Sequence, residues 1–441
     1  MRARRAARLV RRTLRWNDLY RATSYLKSAL WAVPLLAMAL VFATTPVLRA
    51  IDAWLDWKLL GLNTEGAQAL YQTVITLTLS FVVFTFGSLL VAIQVAGGQL
   101  TPRIIATLLL RDNVVRYSVG LFVFTMLFSV RALNRADDSV PQLVALVTTL
   151  LGLACIAVFL FLIDHAARLL RPVSIVAAVG DDGVAVIRSV YPPRAREKAP
   201  EAGPLLAELG VPTRAVAHRD KAGIVLAVEI TSLVALARRH GGVVEVLPQV
   251  GDFLAFDNPL FALYGRAAAI DDRALRATVA IGAERTLEQD PMFAFRILVD
   301  IALKALSPAI NDPTTAVLAL DQIHRLLRVL GRHQLRAEVI EDAAAVPRVV
   351  FRTPDWDDFV LVACTEIRAC GATSVQIMRR MRAMLEDLQR SVPEAQRAVL
   401  MEQSAVLDRT IDTSFALDED RALARIPDVQ GLGGSSAVRR G

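Results

Sequence analysis

The sequence contains few of the side chains from which metal sites, disulfides and nucleophilic centres are built. It has three cysteines and five histidines in 441 residues. Cys364 and Cys370 have no neighbouring histidine, and the histidines occur singly, so the ligand spacing of a zinc site is absent. Three cysteines also argue against a disulfide framework. A phosphate-binding glycine loop and a nucleophile–base pair are likewise missing. We therefore expect no catalytic residue, no bound metal and no cofactor.

Charged side chains are missing from the middle of four long apolar runs in the first third of the chain. Each run approaches or exceeds the ~20 residues that a helix needs to cross a bilayer. The lack of acids and bases at their centres argues against a proton-relay transporter. The sequence therefore predicts an α-helical membrane protein with four transmembrane helices. The runs are Ser28–Leu48, Ala69–Gly97, Val114–Leu133 and Val140–Ile163.

Lysine and arginine are distributed unequally around these four runs. The stretch before the first run, the loop after the second run with the start of the third, and the segment from the end of the fourth run to Arg171 contain 14 cations between them. The two loops on the opposite side, counted with the end of the third run, contain four. Cations concentrate on the cytoplasmic side of membrane helices. We therefore predict that the N-terminus, the C-terminus and the large C-terminal region are all cytoplasmic.

The basic character of the chain originates in its N-terminal arm. Residues 1–27 contain nine Lys and Arg and one Asp, a net charge of +8, whereas the whole chain has +7. Each cation near an anionic membrane surface contributes about 1 kcal/mol to binding. We expect this cytoplasmic arm to contact the bilayer through anionic lipid head groups, with Trp16 and Tyr20 as interfacial anchors. We expect no binding of nucleic acid.

The remainder of the chain predicts an α+β cytoplasmic domain. Pro192-Pro193 opens a linker, and short glycine-started apolar runs such as Gly223–Ile230 predict a small β-rich module. Apolar residues then recur at helical spacing to about Thr413. The predicted divisions are a basic arm (1–27), a transmembrane domain (28–170), a linker and β-rich module (171–265), a helical domain (266–415) and a disordered tail (416–441).

The second apolar run contains a stripe of small and polar residues. Its members recur at or near a seven-residue interval, which places them on one side of a helix. One interpretation is packing between helices, because small and hydroxyl side chains let backbones approach. The other is the lining of a polar pathway in an oligomer. The residues of this stripe are Thr73, Thr76, Ser80, Gly87 and Gln94.

A second distinctive segment joins two predicted helices. A helix over Phe293–Leu306 must end near Ser307, because Pro308 disfavours helical backbone in the residue before it. Asp312 is then positioned to cap the next helix, with Pro313 in its first turn. This predicts a tightly specified corner. The alternative is a polar ligand site formed by Arg285, Asp290, Ser307, Asn311 and Asp312.

This segment also carries a family resemblance. The sequence RTLEQDPMFAFRILVDIALKALSPAINDPTTAVLALDQI resembles the signature region of a bacterial family of predicted membrane proteins labelled domain of unknown function 2254. The segments QLTPRII and VGDFL are similar to that family's pattern too, and the resemblance covers most of residues 20–415. It implies a bacterial inner-membrane protein with several N-terminal crossings and a cytoplasmic C-terminal domain. The resemblance implies no activity, substrate or catalytic residue for this chain.

Three functions fit these features. The first is a non-enzymatic oligomeric channel- or sensor-like assembly of identical chains, in which the cytoplasmic domain regulates or reports. The second is a membrane scaffold that docks cytosolic partners. The third is a membrane-tethered enzyme acting near the turn from Ser307 to Asp312, against which the missing nucleophile–base pair argues. The sequence favours the first.

Overall fold

The computed structural model describes Trp16 and residues 31–55, 63–99, 112–134, 141–169, 171–191, 202–335 and 339–433. The chain divides into two compact units. We call Tyr25–Ile175 the membrane unit, and Met1–Ser24 together with Val176–Gly441 the C-terminal unit.

The membrane unit consists, in its described residues, of four long apolar helices. All four are long and apolar enough to cross a bilayer, which confirms that the four predicted apolar runs form helices of membrane-spanning length. The second helix extends beyond its apolar run at both ends, the first and fourth continue past the C-terminal ends of theirs, and the third matches its run to within one residue. The helices are α1 (Ala32–Leu55), α2 (Thr64–Gln99), α3 (Asn113–Leu133) and α4 (Gln142–Leu169).

Aromatic stacking and close backbone contact hold this bundle together. The rings of Phe81 on α2 and Phe159 on α4 stack with their centroids 4.0 Å apart, and Phe122 on α3 lies 5.5 Å from Phe81. Gly120 brings α3 against α1, because a Cβ at this position would lie 2.6 Å from Cγ1 of Val33. At these positions the helices pack by shape complementarity.

The C-terminal unit contains two small sheets. A five-stranded sheet has the order β1-β5-β3-β8-β7, in which only the β3–β8 pair is parallel, and a three-stranded antiparallel sheet has the order β4-β2-β6. The strands are β1 (Arg214–Ala217), β2 (Gly223–Val228), β3 (Gly242–Val246), β4 (Phe253–Leu254), β5 (Pro259–Gly265), β6 (Val279–Gly282), β7 (Val339–Glu341) and β8 (Pro347–Phe351).

The last three strands correct the predicted helical region at 266–415. β6, β7 and β8 lie within that region and complete the two sheets, so the β-rich part does not end at residue 265. These strands have four, three and five residues. Such short segments contain too few alternations for a period of two residues to be recognised beside long helical patterns.

Helices account for most of the remaining C-terminal unit. Phe359 on α11 connects two of them, since its ring lies 5.1 Å from Phe295 on α9 and 6.3 Å from Tyr191, which follows α5. The helices are α5 (Pro172–Val190), α6 (Ala202–Leu209), α7 (Ile230–His240), α8 (Asp272–Arg276), α9 (Pro291–Ala305), α10 (Pro313–Leu330), α11 (Trp356–Cys370), α12 (Val375–Ser391), α13 (Arg397–Ser414) and α14 (Asp418–Ala424).

The tail predicted to be disordered is largely folded. It contains α14, and the segment after it is held by Arg379, whose side chain is almost fully buried. The guanidinium donates to the carbonyl oxygens of Ile426 at 3.0 Å and Gly433 at 2.7 Å. Asp428 accepts from the backbone amide of Gly431. These contacts depend on the side chains of Arg379 and Asp428. A glycine-rich composition does not predict such contacts. Residues 434–441 lie outside the described part of the chain.

Trp16, one of the two predicted interfacial anchors, contacts the C-terminal unit. It packs against Leu226, Ala227 and Ala280 on the sheet formed by β4, β2 and β6. Tyr20 and the cations of the arm lie outside the described residues. The predicted orientation and lipid contact therefore stay predictions.

Candidate functional site

The polar stripe of α2 faces away from the other helices of its own unit. Thr73, Thr76, Ser80, Gly87 and Gln94 are all exposed. An added Cβ at Gly87 would meet no described atom within 4 Å. Within a single copy, the stripe therefore does not contact another described helix, and both interpretations stay predictions.

The opposite side of α2 makes the contacts within the bundle. Buried residues recur there at a seven-residue interval: Tyr71, Thr78, Thr85 and Ala92 are each less than 10% exposed. At 100° per residue, this buried row and the polar stripe lie on nearly opposite sides of the helix. The sequence showed that the stripe shares one side, and the structure shows that this side points outward.

Hydroxyl groups of the stripe are satisfied by their own helix. Thr73 donates to the carbonyl oxygen of Ala69 at 2.8 Å, and Ser80 donates to that of Thr76 at 2.8 Å. Gln94 is the last residue of the apolar span Thr64–Gln94. A side-chain amide at that position needs water or another polar group, because hydrocarbon offers none.

The five residues predicted as a polar ligand site do not come together. Arg285 and Asp290 lie at the start of α9, whereas Ser307, Asn311 and Asp312 follow its end. A helix of 15 residues is about 22 Å long. The predicted site therefore separates into two regions.

The region after α9 is a structural corner. The hydroxyl of Ser307 donates to the carbonyl oxygen of Lys304 at 2.7 Å, and Asn311 adopts a left-handed backbone with φ of 49°. Asp312 caps α10 by accepting from the backbone amide of Thr315 at 3.1 Å, with Pro313 in the first turn. This confirms the predicted cap. The polar atoms named here are engaged with near neighbours in the chain, as expected of a turn rather than a ligand site.

The region before α9 is a buried polar cluster around Asp290. Its Oδ1 accepts from the backbone amide of Phe293 at 3.0 Å, which caps α9. Arg285 lies 4.0 Å from its Oδ2 and donates to the carbonyl oxygen of Gly251 at 2.6 Å. Burial raises the pKa of Asp290 to about 6, although Arg285 and the capped amides oppose the shift. This carboxyl therefore changes charge close to neutral pH.

A small cavity adjoins this cluster. It has a volume of about 50 Å³, and its polar lining includes Tyr191, Gln289, Asp290, Arg352 and Thr353. That volume accommodates a few water molecules. Sequence reasoning missed the contribution of Gly251 and Tyr191, although Gly251 belongs to the VGDFL segment singled out above.

Sequence reasoning also missed an ion-pair network between α10 and α12. Arg380, which is 5% exposed, donates to Asp321 at 2.7 Å and contacts Nδ1 of His324 at 3.1 Å. Nε2 of His324 lies 2.8 Å from Asp387. Burial lowers the pKa of His324, against the effect of Asp387. A neutral imidazole can then accept from Arg380 and donate to Asp387, which joins the two helices.

Metal-ligating side chains do not cluster in the described part of the chain. It contains no group of three His, Cys, Asp or Glu residues placed to hold an ion. Cys155 and Cys364 are buried as free thiols.

Comparison with known proteins provides a family but no activity. Residues 27–387 match the family described as predicted membrane protein (DUF2254). Uncharacterized protein Rv1290c of Mycobacterium tuberculosis and uncharacterized protein Mb1321c of Mycobacterium bovis are each 25% identical to the chain over 418 residues, which is 90% of this chain and 79% of theirs. No solved structure matches the chain. With four helices long and apolar enough to cross a membrane and a family match over most of its length, the chain belongs to the DUF2254 family of predicted membrane proteins.

Proposed function

We propose that the protein is a non-enzymatic membrane assembly of several identical chains, channel-like or sensor-like, in which α2 faces other copies or a shared polar pathway. The observation that carries this proposal is the outward direction of Thr73, Thr76, Ser80, Gly87 and Gln94. A monomer would turn this stripe toward lipid tails.

The chemistry of the stripe suits contact between helices. Gly87 leaves room for a second backbone, and small side chains such as Ser80 allow helices to approach closely. Outward apolar residues beside the stripe, such as Leu79 and Leu90, are suited to lipid. Self-association would remove the polar stripe from contact with lipid hydrocarbon. The apolar residues beside it would stay in contact with lipid.

The C-terminal unit has the regulatory role in this proposal. In the proposal this unit is on the cytoplasmic side of a bacterial inner membrane, and the excess of cations on that side supports the orientation. The arginine-rich arm adds attraction to anionic lipid head groups. Regulation by this unit requires a group whose charge changes with the surrounding pH. The buried polar cluster at Asp290 is the candidate.

Particle mass in lipid nanodiscs tests the proposal. One chain has a mass of 48.1 kDa, so the proposal predicts a protein mass of at least two whole multiples of this value, and single-copy particles would contradict it. Measurement of ionic current across a planar bilayer then distinguishes a channel from a sensor. Ion flux from the oligomer favours a channel, and an oligomer without flux favours a sensor.

A further inference from the structure

A carboxylate at the start of α9 has one oxygen without a hydrogen-bond donor. The side chain of Asp290 is 5% exposed. Its Oδ1 caps the helix, whereas Oδ2 is buried and has no hydrogen-bond partner among the described residues. An ionised oxygen in this position is costly unless a donor or a cation reaches it.

The cation within reach is engaged elsewhere. Nη1 of Arg285 lies 4.0 Å from Oδ2 of Asp290, too far for a hydrogen bond. Its Nη2 donates instead to the carbonyl oxygen of Gly251 at 2.6 Å. The guanidinium of Arg285 thus lies beside two acceptors, the carbonyl oxygen of Gly251 and Oδ2 of Asp290. A small movement of Arg285 would transfer its hydrogen bond from the first acceptor to the second.

Gly251 connects the position of Arg285 to the three-stranded sheet that contains β2. A Cβ on Gly251 would lie 2.8 Å from Oδ2 of Asp290, and the residue has a positive φ of 95°, so only glycine fits here. Its backbone amide donates to the carbonyl oxygen of Val225 at 2.8 Å, and the backbone amide of Val225 donates to the backbone carbonyl oxygen of Asp252 at 2.9 Å. The turn from Val250 to Asp252 is therefore pinned on one side by β2 and on the other by Arg285.

Few other charges act on Asp290. Asp252, in the same turn, raises the pKa of Asp290 slightly. Across the cavity, Tyr191 and Arg352 approach from the ends of α5 and β8, and Arg352 also lies 3.9 Å from Glu245. Arg285 is thus the cation best placed to respond when Asp290 ionises.

We propose that Asp290 is a proton-binding switch: when protonated it leaves Arg285 on the Gly251 carbonyl, and when ionised it draws Arg285 onto Oδ2 and releases the Val250–Asp252 turn. The proton passes to water in the adjoining cavity. Burial raises the pKa of Asp290 to about 6, so the exchange falls in a range that a bacterial cytoplasm can cross. This inference does not depend on the oligomeric state.

Hydrogen–deuterium exchange of the full chain in nanodiscs tests the switch. Amide exchange in peptides covering residues 247–256 would be measured between pH 5 and pH 8 and corrected for intrinsic rates. Protection of this segment should fall by about tenfold as pH rises, with a midpoint near 6, because one hydrogen bond to a charged donor is lost. Constant protection across this range in the wild type would overturn the proposal.

Two substitutions separate the switch from a general effect of pH. Asp290→Asn retains the helix cap and cannot ionise, so protection should stay high throughout. Arg285→Gln removes the moving cation, so the transition should vanish although Asp290 remains. Asp257→Asn, in the neighbouring exposed turn, is the matched control and should keep the transition. A transition that persists in Asp290→Asn or in Arg285→Gln would contradict the mechanism.

Discussion

Asp290 and Asp312 begin two consecutive helices in the same way. Each carboxylate accepts from the backbone amide three residues later, and each is followed by a proline in the first turn. They differ in burial, since Asp290 is 4% exposed whereas Asp312 is only partly buried. The same substitution at the two positions should therefore have different consequences.

At Asp312 the carboxylate acts as a cap. Asp312→Ala should lower the free energy of unfolding by about 0.5–2 kcal/mol, because the amide of Thr315 loses its acceptor. Asp312→Asn should restore most of this loss, since Asn caps about as well as Asp. Thermal melts of the purified protein in detergent measure both changes. An Asn variant as unstable as the Ala variant would contradict the capping role.

At Asp290 burial makes stability depend on pH. The pKa of this carboxyl rises from 3.8 to about 6 on folding. Between these values the folded protein holds a proton that the unfolded chain has released, so the free energy of unfolding falls as pH rises toward 6 and then levels off. At pH 7 the buried charge lowers it by about 3 kcal/mol relative to an unshifted carboxyl.

Asp290→Asn should therefore be more stable than the wild type at pH 7.5, and its advantage should shrink toward pH 4. Melting temperatures at four pH values between these limits measure the difference. Asp312→Asn provides a matched control at a cap that is less buried. A wild type whose melting temperature exceeds that of Asp290→Asn at pH 7.5 would mean that Arg285 stabilises the carboxylate more than burial destabilises it.

The folded C-terminal segment depends on Arg379. Arg379→Met removes the donors to Ile426 and Gly433 but keeps an unbranched apolar side chain. Hydrogen bonds from a charged donor are worth about 1.5–3 kcal/mol each, so the segment should detach locally. Trypsin should then cleave after Arg425 at least roughly tenfold faster than in the wild type. Arg409→Met, on the exposed side of α13, is the control. Equal cleavage rates in Arg379→Met and wild type would show that other contacts hold the segment.

Features encoded locally could be predicted from the sequence. Apolar runs of membrane-spanning length are sufficient to find α1 to α4, and the order Asp312-Pro313 is sufficient to find the start of α10. Each depends on residues within one segment, where spacing and chemistry act directly.

Features that join distant segments could not be predicted in this way. The parallel pair of β3 and β8 joins residues about one hundred positions apart, and Arg285 meets Gly251 across 34 positions. The seven-residue interval places Thr73, Ser80 and Gly87 on one side of α2, but it contains no information on whether that side faces a neighbouring helix or the exterior. Only the packing of the other helices decides that direction.

Disulfide cross-linking in native membranes is the most direct test of the claim that α2 meets other copies of the chain. Cys370 is exposed and would first be replaced by serine, while Cys155 and Cys364 are buried. In that background, Ser80→Cys lies on the polar stripe, and Leu79→Cys is a matched control, because it is 50% exposed and lies about 100° around the same helix. Under mild oxidation we expect covalent dimers from Ser80→Cys and few from Leu79→Cys. A Ser80→Cys protein that stays monomeric, or a Leu79→Cys protein that cross-links equally well, would contradict the account.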